Sequence, residues 1–372
     1  MSGQKFGFAG AAALIIGHCA GMLDLVALPV WVGALVERFG LSPQQAGALA
    51  TLFLLGAVGA SMLAAPRFNG LNQKLLATCG FALASATFLI ASTQTTFAAL
   101  AILHLVSGLA AGTALSMVHG TMGQATNPHR LFAAASMALG LFAIILLAAI
   151  PQLLISLGGP ILFRVFGAIM AIAAVASALL FRNPVNAVKI AKTPFSRATW
   201  FTILGISVMT FNQAMVFSFV EVIGKSRGFE PGHVLAVLIA LGVINFLFPA
   251  PLATFLQTRV SAPLMTQIGP TIQAVLAIIV TSATAFQIWA PAAAVFVAIQ
   301  IFTHTFVFGL LAKLDPSGRA VAATPAMLML GAALGPIVGG ALGENLGFSA
   351  LGVAAVVVAG ASIGFFTKAK TA

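Results

Sequence analysis

Gly17-His18-Cys19-Ala20-Gly21-Met22-Leu23-Asp24-Leu25-Val26-Ala27-Leu28-Pro29 lies within an apolar run that extends from Phe6 to Val32. A run of that length can cross a bilayer as a helix, and a carboxylate held in hydrocarbon is seldom kept without a task. Asp24 is therefore the first functional candidate; the alternative is an acid that only fixes packing against a neighbouring helix. Lys5 followed by Phe6 to Ile16 imitates a secretory signal with Cys19-Ala20 as its cleavage region, but continuation of the run to Trp31 is too long for a signal core. The run reads as the first transmembrane helix.

The rest of the chain extends that pattern. Only 6% of its 372 residues are charged and 60% are hydrophobic, with a mean hydropathy of +1.11, whereas a soluble domain carries about a quarter charged residues. A soluble fold is excluded, and helices are expected because every backbone group in lipid must be paired within its own segment. The net charge of +11 sits singly at the ends of apolar runs rather than in a patch, so it marks topology and not nucleic-acid binding. Cys19 and Cys79 both fall within runs and suggest neither a disulfide nor a metal-thiolate site.

Breaks at Gly, Pro and charged residues leave twelve apolar runs, near 6–32, 43–66, 74–93, 97–122, 129–155, 160–182, 200–224, 232–257, 263–287, 291–313, 320–342 and 347–367. With both termini cytoplasmic, thirteen basic residues fall on the cytoplasmic side and three, Arg38, Lys225 and Arg227, on the other. An integral multi-pass protein of a bacterial inner membrane is expected. Trp31, Trp200 and Trp289 fall at the ends of runs, as an aromatic belt would place them. The longest polar stretch, Arg182 to Arg197, reads as a linker, which gives an amino-terminal six-helix bundle over 1–182, a cytoplasmic linker over 183–199 and a carboxy-terminal bundle over 200–372.

The halves repeat. At an offset of 188 residues, Gly40-Leu41-Ser42-Pro43 matches Gly228-Phe229-Glu230-Pro231, and Asn127-Pro128-His129-Arg130 matches Asp315-Pro316-Ser317-Gly318-Arg319 with one insertion. Sharing one offset argues for duplicated halves. The same offset sets Asp24 opposite Asn212, beside Gln213 in the seventh run.

The twelve spans, the repeat, the linker and the run Gly331-Ala-Ala-Leu-Gly335-Pro336-Ile-Val-Gly339-Gly340 resemble the major facilitator superfamily. The resemblance covers essentially the whole chain and implies a secondary transporter that rocks one half against the other. Asp24 with Ala27-Leu28-Pro29 is similar to the acid-then-Leu-Pro pattern in the first helix of proton-coupled drug antiporters, and His104 to Gly112 to a fourth-helix pattern in which an arginine stands at the histidine position. Two departures stand beside these likenesses. Pro66-Arg67-Phe68-Asn69-Gly70 lacks the acid that the second loop of the family carries, and Gly-Pro occurs on the eleventh run instead of the fifth.

Counted from their helix ends, Asp24 and His104 lie at matching depth, roughly 10–14 Å below one surface. An aspartate beside an imidazole can trade a proton, so these two are the candidate proton-coupling residues; for His104, a packing role with a bond to a backbone carbonyl is the alternative. His18, Asn212, Gln213, Asn245, Gln300 and His304 are candidate substrate contacts, with Gln300 and His304 one turn apart on one face. His119 reads as structural. Arg164 and Glu221, at similar shallow depth, form a candidate gate, with snorkelling to the interface as the alternative. Small residues four apart at Gly331, Gly335 and Gly339, and at Gly108 and Gly112, suit close helix packing.

Few charges near mid-depth favour a neutral, aromatic or amphipathic solute over a polyanion, which needs clustered Arg or Lys. Neither HExxH nor a second central acid occurs, so an enzyme is not expected, and no cofactor or metal is implied. The expected function is secondary active transport of a small organic solute, coupled to protons, by a monomer in the lipid bilayer; the alternative is an uncoupled facilitator or a symport importer.

Overall fold

Capping side chains set where the helices begin. Asn72, Asn127, Ser196 and Glu230 each accept a hydrogen bond from the backbone N–H three residues on, at 2.8–3.1 Å, which satisfies donors that a helix start leaves open. The computed structural model describes residues 5–184, 194–256, 259–315, 320 and 324–371. The helices are α1 (Gly7–Gly21), α2 (Leu23–Phe39), α3 (Pro43–Ala64), α4 (Gln73–Ala91), α5 (Phe97–Met122), α6 (Pro128–Leu157), α7 (Ile161–Leu180), α8 (Arg197–Phe217), α9 (Val220–Ser226), α10 (Pro231–Leu247), α11 (Pro249–Leu256), α12 (Ala262–Ser282), α13 (Phe286–Leu314), α14 (Thr324–Leu346) and α15 (Ser349–Thr371). Among the described residues there is no strand. Within the described residues, twelve helical segments are long and apolar enough to cross a membrane. Three of them are interrupted: the first is α1 with α2, the seventh α8 with α9, and the eighth α10 with α11.

The repeat is visible in the backbone. Gly40 and Gly228, 188 residues apart, both take a left-handed conformation, at φ +65° and +76°, and the prolines three residues later open α3 and α10. Gly158 after α6 and Gly347 after α14 do the same at φ +78° and +80°. A side chain at φ > 0 is strained, so glycine ends these helices, and after Gly40 and Gly228 proline starts the next.

By contacts the chain forms two compact units, one of Met1–Ala27 with Leu52–Lys192 and one of Leu28–Thr51 with Thr193–Ala372. Residues 28–51, which chain order assigns to the first half, thus pack with the second. Most of the expected linker, 185–193, and the repeat match over 316–319 lie outside the described residues.

Within the first unit, α4 packs on α5 and α7, and α1 packs on α5, α6 and α7. A Cβ at Gly108 or Gly112 would run into the α3 backbone at Phe53 or Ala57, so those helices touch backbone to backbone. In the second unit α8 lies between α14 and α15. The glycines of α14 work as the sequence predicts: Gly331 and Gly339 abut the carbonyls of Ser207 and Met215 on α8. Large apolar side chains such as Leu179, Val353 and Val357 are at least 70% exposed; in a membrane those faces meet lipid.

Two expectations change. Trp31 and Trp289 are fully buried, and only Trp200, 52% exposed, faces outward. The first span continues to Phe39, so Trp31 lies inside a helix rather than at its end, and Trp289 packs at a tilt against Phe229 and Phe286. The longer span also puts Glu37 and Arg38 on helix α2 rather than in a loop.

Candidate functional site

The first span breaks at Met22, whose N–H bonds back to the His18 carbonyl at 3.0 Å while the Leu25 N–H bonds to the Met22 carbonyl at 3.1 Å. Gly17 and Gly21 bring α1 hard against α5: a Cβ on Gly21 would lie 2.6 Å from Leu115, and one on Gly17 2.8 Å from Val118. The break puts two polar side chains at helix ends of opposite polarity. Asp24 stands in the first turn of α2, where unpaired backbone N–H groups carry partial positive charge. His18 stands in the last turn of α1, the negative end.

Asp24 is 2% exposed. Its Oδ1 is buried without a hydrogen-bond partner. An unpaired oxygen on a buried acid is expensive to keep, and more so if the acid is ionised.

The histidines are arranged differently from the spacing argument. His104 is fully buried, with Nδ1 2.7 Å from the Leu100 carbonyl and its ring edge-on to Phe88 and Phe163. That is the packing alternative, and no described hydrogen bond or ion pair joins it to Asp24. His18 instead meets His119, Nδ1 to Nε2 at 2.8 Å with ring centroids 5.1 Å apart; one ring donates and the other accepts. Counting residues from helix ends put His119 too near the end of its span to suggest a partner deeper in the first.

In the second unit a chain of amides runs across three helices. Asn212 Nδ2 on α8 donates to Gln273 Oε1 on α12 at 3.2 Å, Gln273 Nε2 donates to Gln300 Oε1 on α13 at 2.8 Å, and Gln300 Nε2 donates to Thr210 Oγ1 at 2.8 Å. Thr210 in turn donates to the Ile206 carbonyl. The second donor of Gln300 meets His304 Nε2, so the pair expected one turn apart does share a face. All donors point one way along the chain, which strengthens each bond. Asn212 also approaches the Ala355 carbonyl at 3.4 Å, and its Oδ1 has no partner. Gln213 is 5% exposed, and Asn245 on α10 is half-buried with Oδ1 unpartnered. Gln273 was missed by sequence reading because a lone glutamine in an apolar run gives no spacing signal.

A third polar group joins α2 to α9 in the second unit. Lys225 Nζ is 2.9 Å from both oxygens of Glu37 and 2.7 Å from Glu221 Oε1. Glu37 and Lys225 are 188 residues apart, the repeat offset itself, so equivalent positions of the first and seventh spans meet. That coincidence is the signal by which sequence could have found the pair. Glu221, expected with Arg164, has Lys225 as its partner; Arg164 is exposed on α7. Nearby, Ile337 N–H donates to Thr51 Oγ1 at 3.2 Å and Gln44 N–H to Glu344 Oε2 at 3.0 Å, tying α3 to α14. Among the described residues no group of three or more metal-ligating side chains occurs.

No curated protein sequence matches this chain significantly. Among solved structures, the nucleoside transporter NupG is 14% identical over 98% of this chain and 99% of its own, with a TM-score of 0.73. A bacterial homologue of the human lysosomal transporter Spinster, inward-facing and occupied, is 15% identical over 97% and 96%, with a TM-score of 0.75. At such identities the likeness is one of fold. The sequence profile of the Major Facilitator Superfamily matches residues 13–323, and with that span covering most of the chain, this multi-pass membrane protein belongs to the Major Facilitator Superfamily.

Proposed function

We propose that this chain moves a small, neutral or amphipathic organic solute across a bacterial inner membrane by alternating access, coupled to protons through Asp24, with both termini cytoplasmic. The observation that carries the reading is the Asp24 carboxylate, buried in the first turn of α2 with Oδ1 unpartnered. The six acids of the chain are Asp24, Glu37, Glu221, Glu230, Asp315 and Glu344, and Asp24 alone lies near mid-span. A buried acid without a fixed counter-ion is neutral when sealed from water and ionised when wet, which is what a proton carrier requires.

The solute class follows from the donors at hand. Gln213, Asn245, Gln300 and His304 offer neutral hydrogen-bonding groups, with no cluster of Arg or Lys at their depth. A solute rich in amide, hydroxyl or ring-nitrogen groups suits them, and nucleosides, which the name of NupG gives as the cargo of that protein, belong in the first screen. His18 and His104 act from within the first unit, His18 through its bond to His119 and His104 as a packing group. Glu221, with Lys225 and Glu37, forms the gate on the face opposite the termini.

The test is reconstitution of the full chain in liposomes, a screen of nucleosides and neutral drugs, and proton movement recorded for wild type and Asp24→Asn. Solute-driven proton flux in wild type alone supports the proposal. Solute flux without proton flux in wild type, or coupling retained in the variant, overturns it.

A further inference from the structure

The cluster at Glu37, Lys225 and Glu221 holds more acid than base. A lysine ammonium has three N–H donors, and three carboxylate oxygens lie within 2.9 Å of Lys225 Nζ: both of Glu37 and Oε1 of Glu221. Nothing is left for Glu221 Oε2, which is buried without a hydrogen-bond partner on a residue only 7% exposed. What covers it is α2: a Cβ placed on Gly33 would lie 2.8 Å from that oxygen. Absence of a side chain at position 33 lets the backbone of α2 close over the carboxylate.

Other charged groups nearby are engaged elsewhere. Arg227 points to the Thr281 carbonyl and Ser349 Oγ at the ends of α12 and α15. Glu230 accepts from the His233 N–H, with the His233 ring 3.8 Å away. Glu344 on α14 accepts from the Gln44 N–H, and Arg38 on α2 is exposed. Two carboxylates and one ammonium, with one carboxylate oxygen sealed from water, leave a net negative charge in a site that offers that oxygen no donor.

We propose that Glu221 is a proton-binding site of this gate: its Oε2 takes one proton from the adjoining aqueous phase as α2 closes on α9, and releases it as they separate. Closed, the cluster is an ion pair of Lys225 with Glu37 beside a neutral carboxylic acid. Open, water reaches Oε2 and the anion is stable again. By linkage, a closed form that binds a proton more tightly is favoured at low pH. The inference rests on the transport reading in that closure serves alternating access; it is separate from the role of Asp24, and its test needs neither solute nor proton flux.

The experiment measures distances by double electron–electron resonance in the full chain in liposomes, with Cys19 and Cys79 replaced by alanine and spin labels at Gln45→Cys and Thr284→Cys, both exposed positions of the second unit. Between pH 5 and 9 the open-to-closed ratio should rise with pH, by up to about tenfold per pH unit where one proton is exchanged. Glu221→Gln should stay closed throughout. Glu37→Gln, which leaves a neutral pair of Glu221 with Lys225, should move the transition to higher proton concentration. A wild-type ratio that does not change with pH, a Glu221→Gln profile that matches wild type, or a Glu37→Gln transition moved to higher pH would overturn the proposal. In an Asp24→Asn background the pH dependence that remains should still be abolished by Glu221→Gln, so failure of coupling through Asp24 and failure of this site are distinguishable.

Discussion

Replacing Gln273 with methionine tests whether the amide chain of the second unit holds its helices together. Methionine nearly keeps the volume and removes both polar atoms. Two bonds disappear, that from Asn212 at 3.2 Å and that to Gln300 at 2.8 Å. Interhelical hydrogen bonds in membrane proteins average about 0.6 kcal/mol and reach about 1.7, so Gln273→Met should cost about 1–3 kcal/mol. Asn212 then keeps only the 3.4 Å contact to the Ala355 carbonyl. Its Oδ1 is already unpartnered, so the variant leaves most of a buried amide unsatisfied. Asn212→Leu alone removes the bond to Gln273, the long contact to the Ala355 carbonyl and the unpartnered oxygen, and should cost less than Gln273→Met. The double variant should recover part of the loss, because no donor is stranded. The assay is reversible unfolding of the purified chain in mixed micelles for wild type, both single variants and the double. Gln273→Met within about 0.5 kcal/mol of wild type, or strictly additive losses in the double variant, would show that the chain of bonds does not act as a unit.

Gly331→Leu should abolish folded yield, because its side chain would enter the Ser207 carbonyl, whereas Gly360→Leu, with nothing within 4 Å of its Cβ, should express normally; size-exclusion chromatography in detergent separates the outcomes. Thr51→Val keeps shape but removes the hydroxyl that accepts from the Ile337 N–H at 3.2 Å, and should lower the unfolding free energy by about 1 kcal/mol. Glu230 caps α10, and the Gly232 and His233 N–H groups hold its carboxyl below the ordinary glutamate range. Its stabilisation is therefore complete above the ordinary glutamate value and is lost as pH falls through the lower folded value. Hydrogen exchange at residues 232–234 should accelerate over that acidic window in wild type and be fast and pH-insensitive, apart from intrinsic exchange, in Glu230→Ala.

Sequence alone determined the number of spans, their composition and the internal duplication. Each depends on local quantities: a bilayer demands about 20 apolar residues per crossing, and a tight helix-to-helix turn demands Gly and Pro at set positions, as at Gly40-Pro43 and Gly228-Pro231. It also marked Asp24, because an acid in hydrocarbon is conspicuous without any partner being known. Pairings were another matter. Depth counted along ideal helices joined Asp24 to His104 and Arg164 to Glu221, but the first span breaks at Met22 and the lengthened α2 carries Glu37 to Lys225. His18 with His119, and Asn212 with Gln273 and Gln300, are contacts between residues 101, 61 and 27 apart. Which side chains meet across helices depends on rotation and tilt set by close packing at small residues such as Gly21 and Gly331, and those are properties of the assembled bundle.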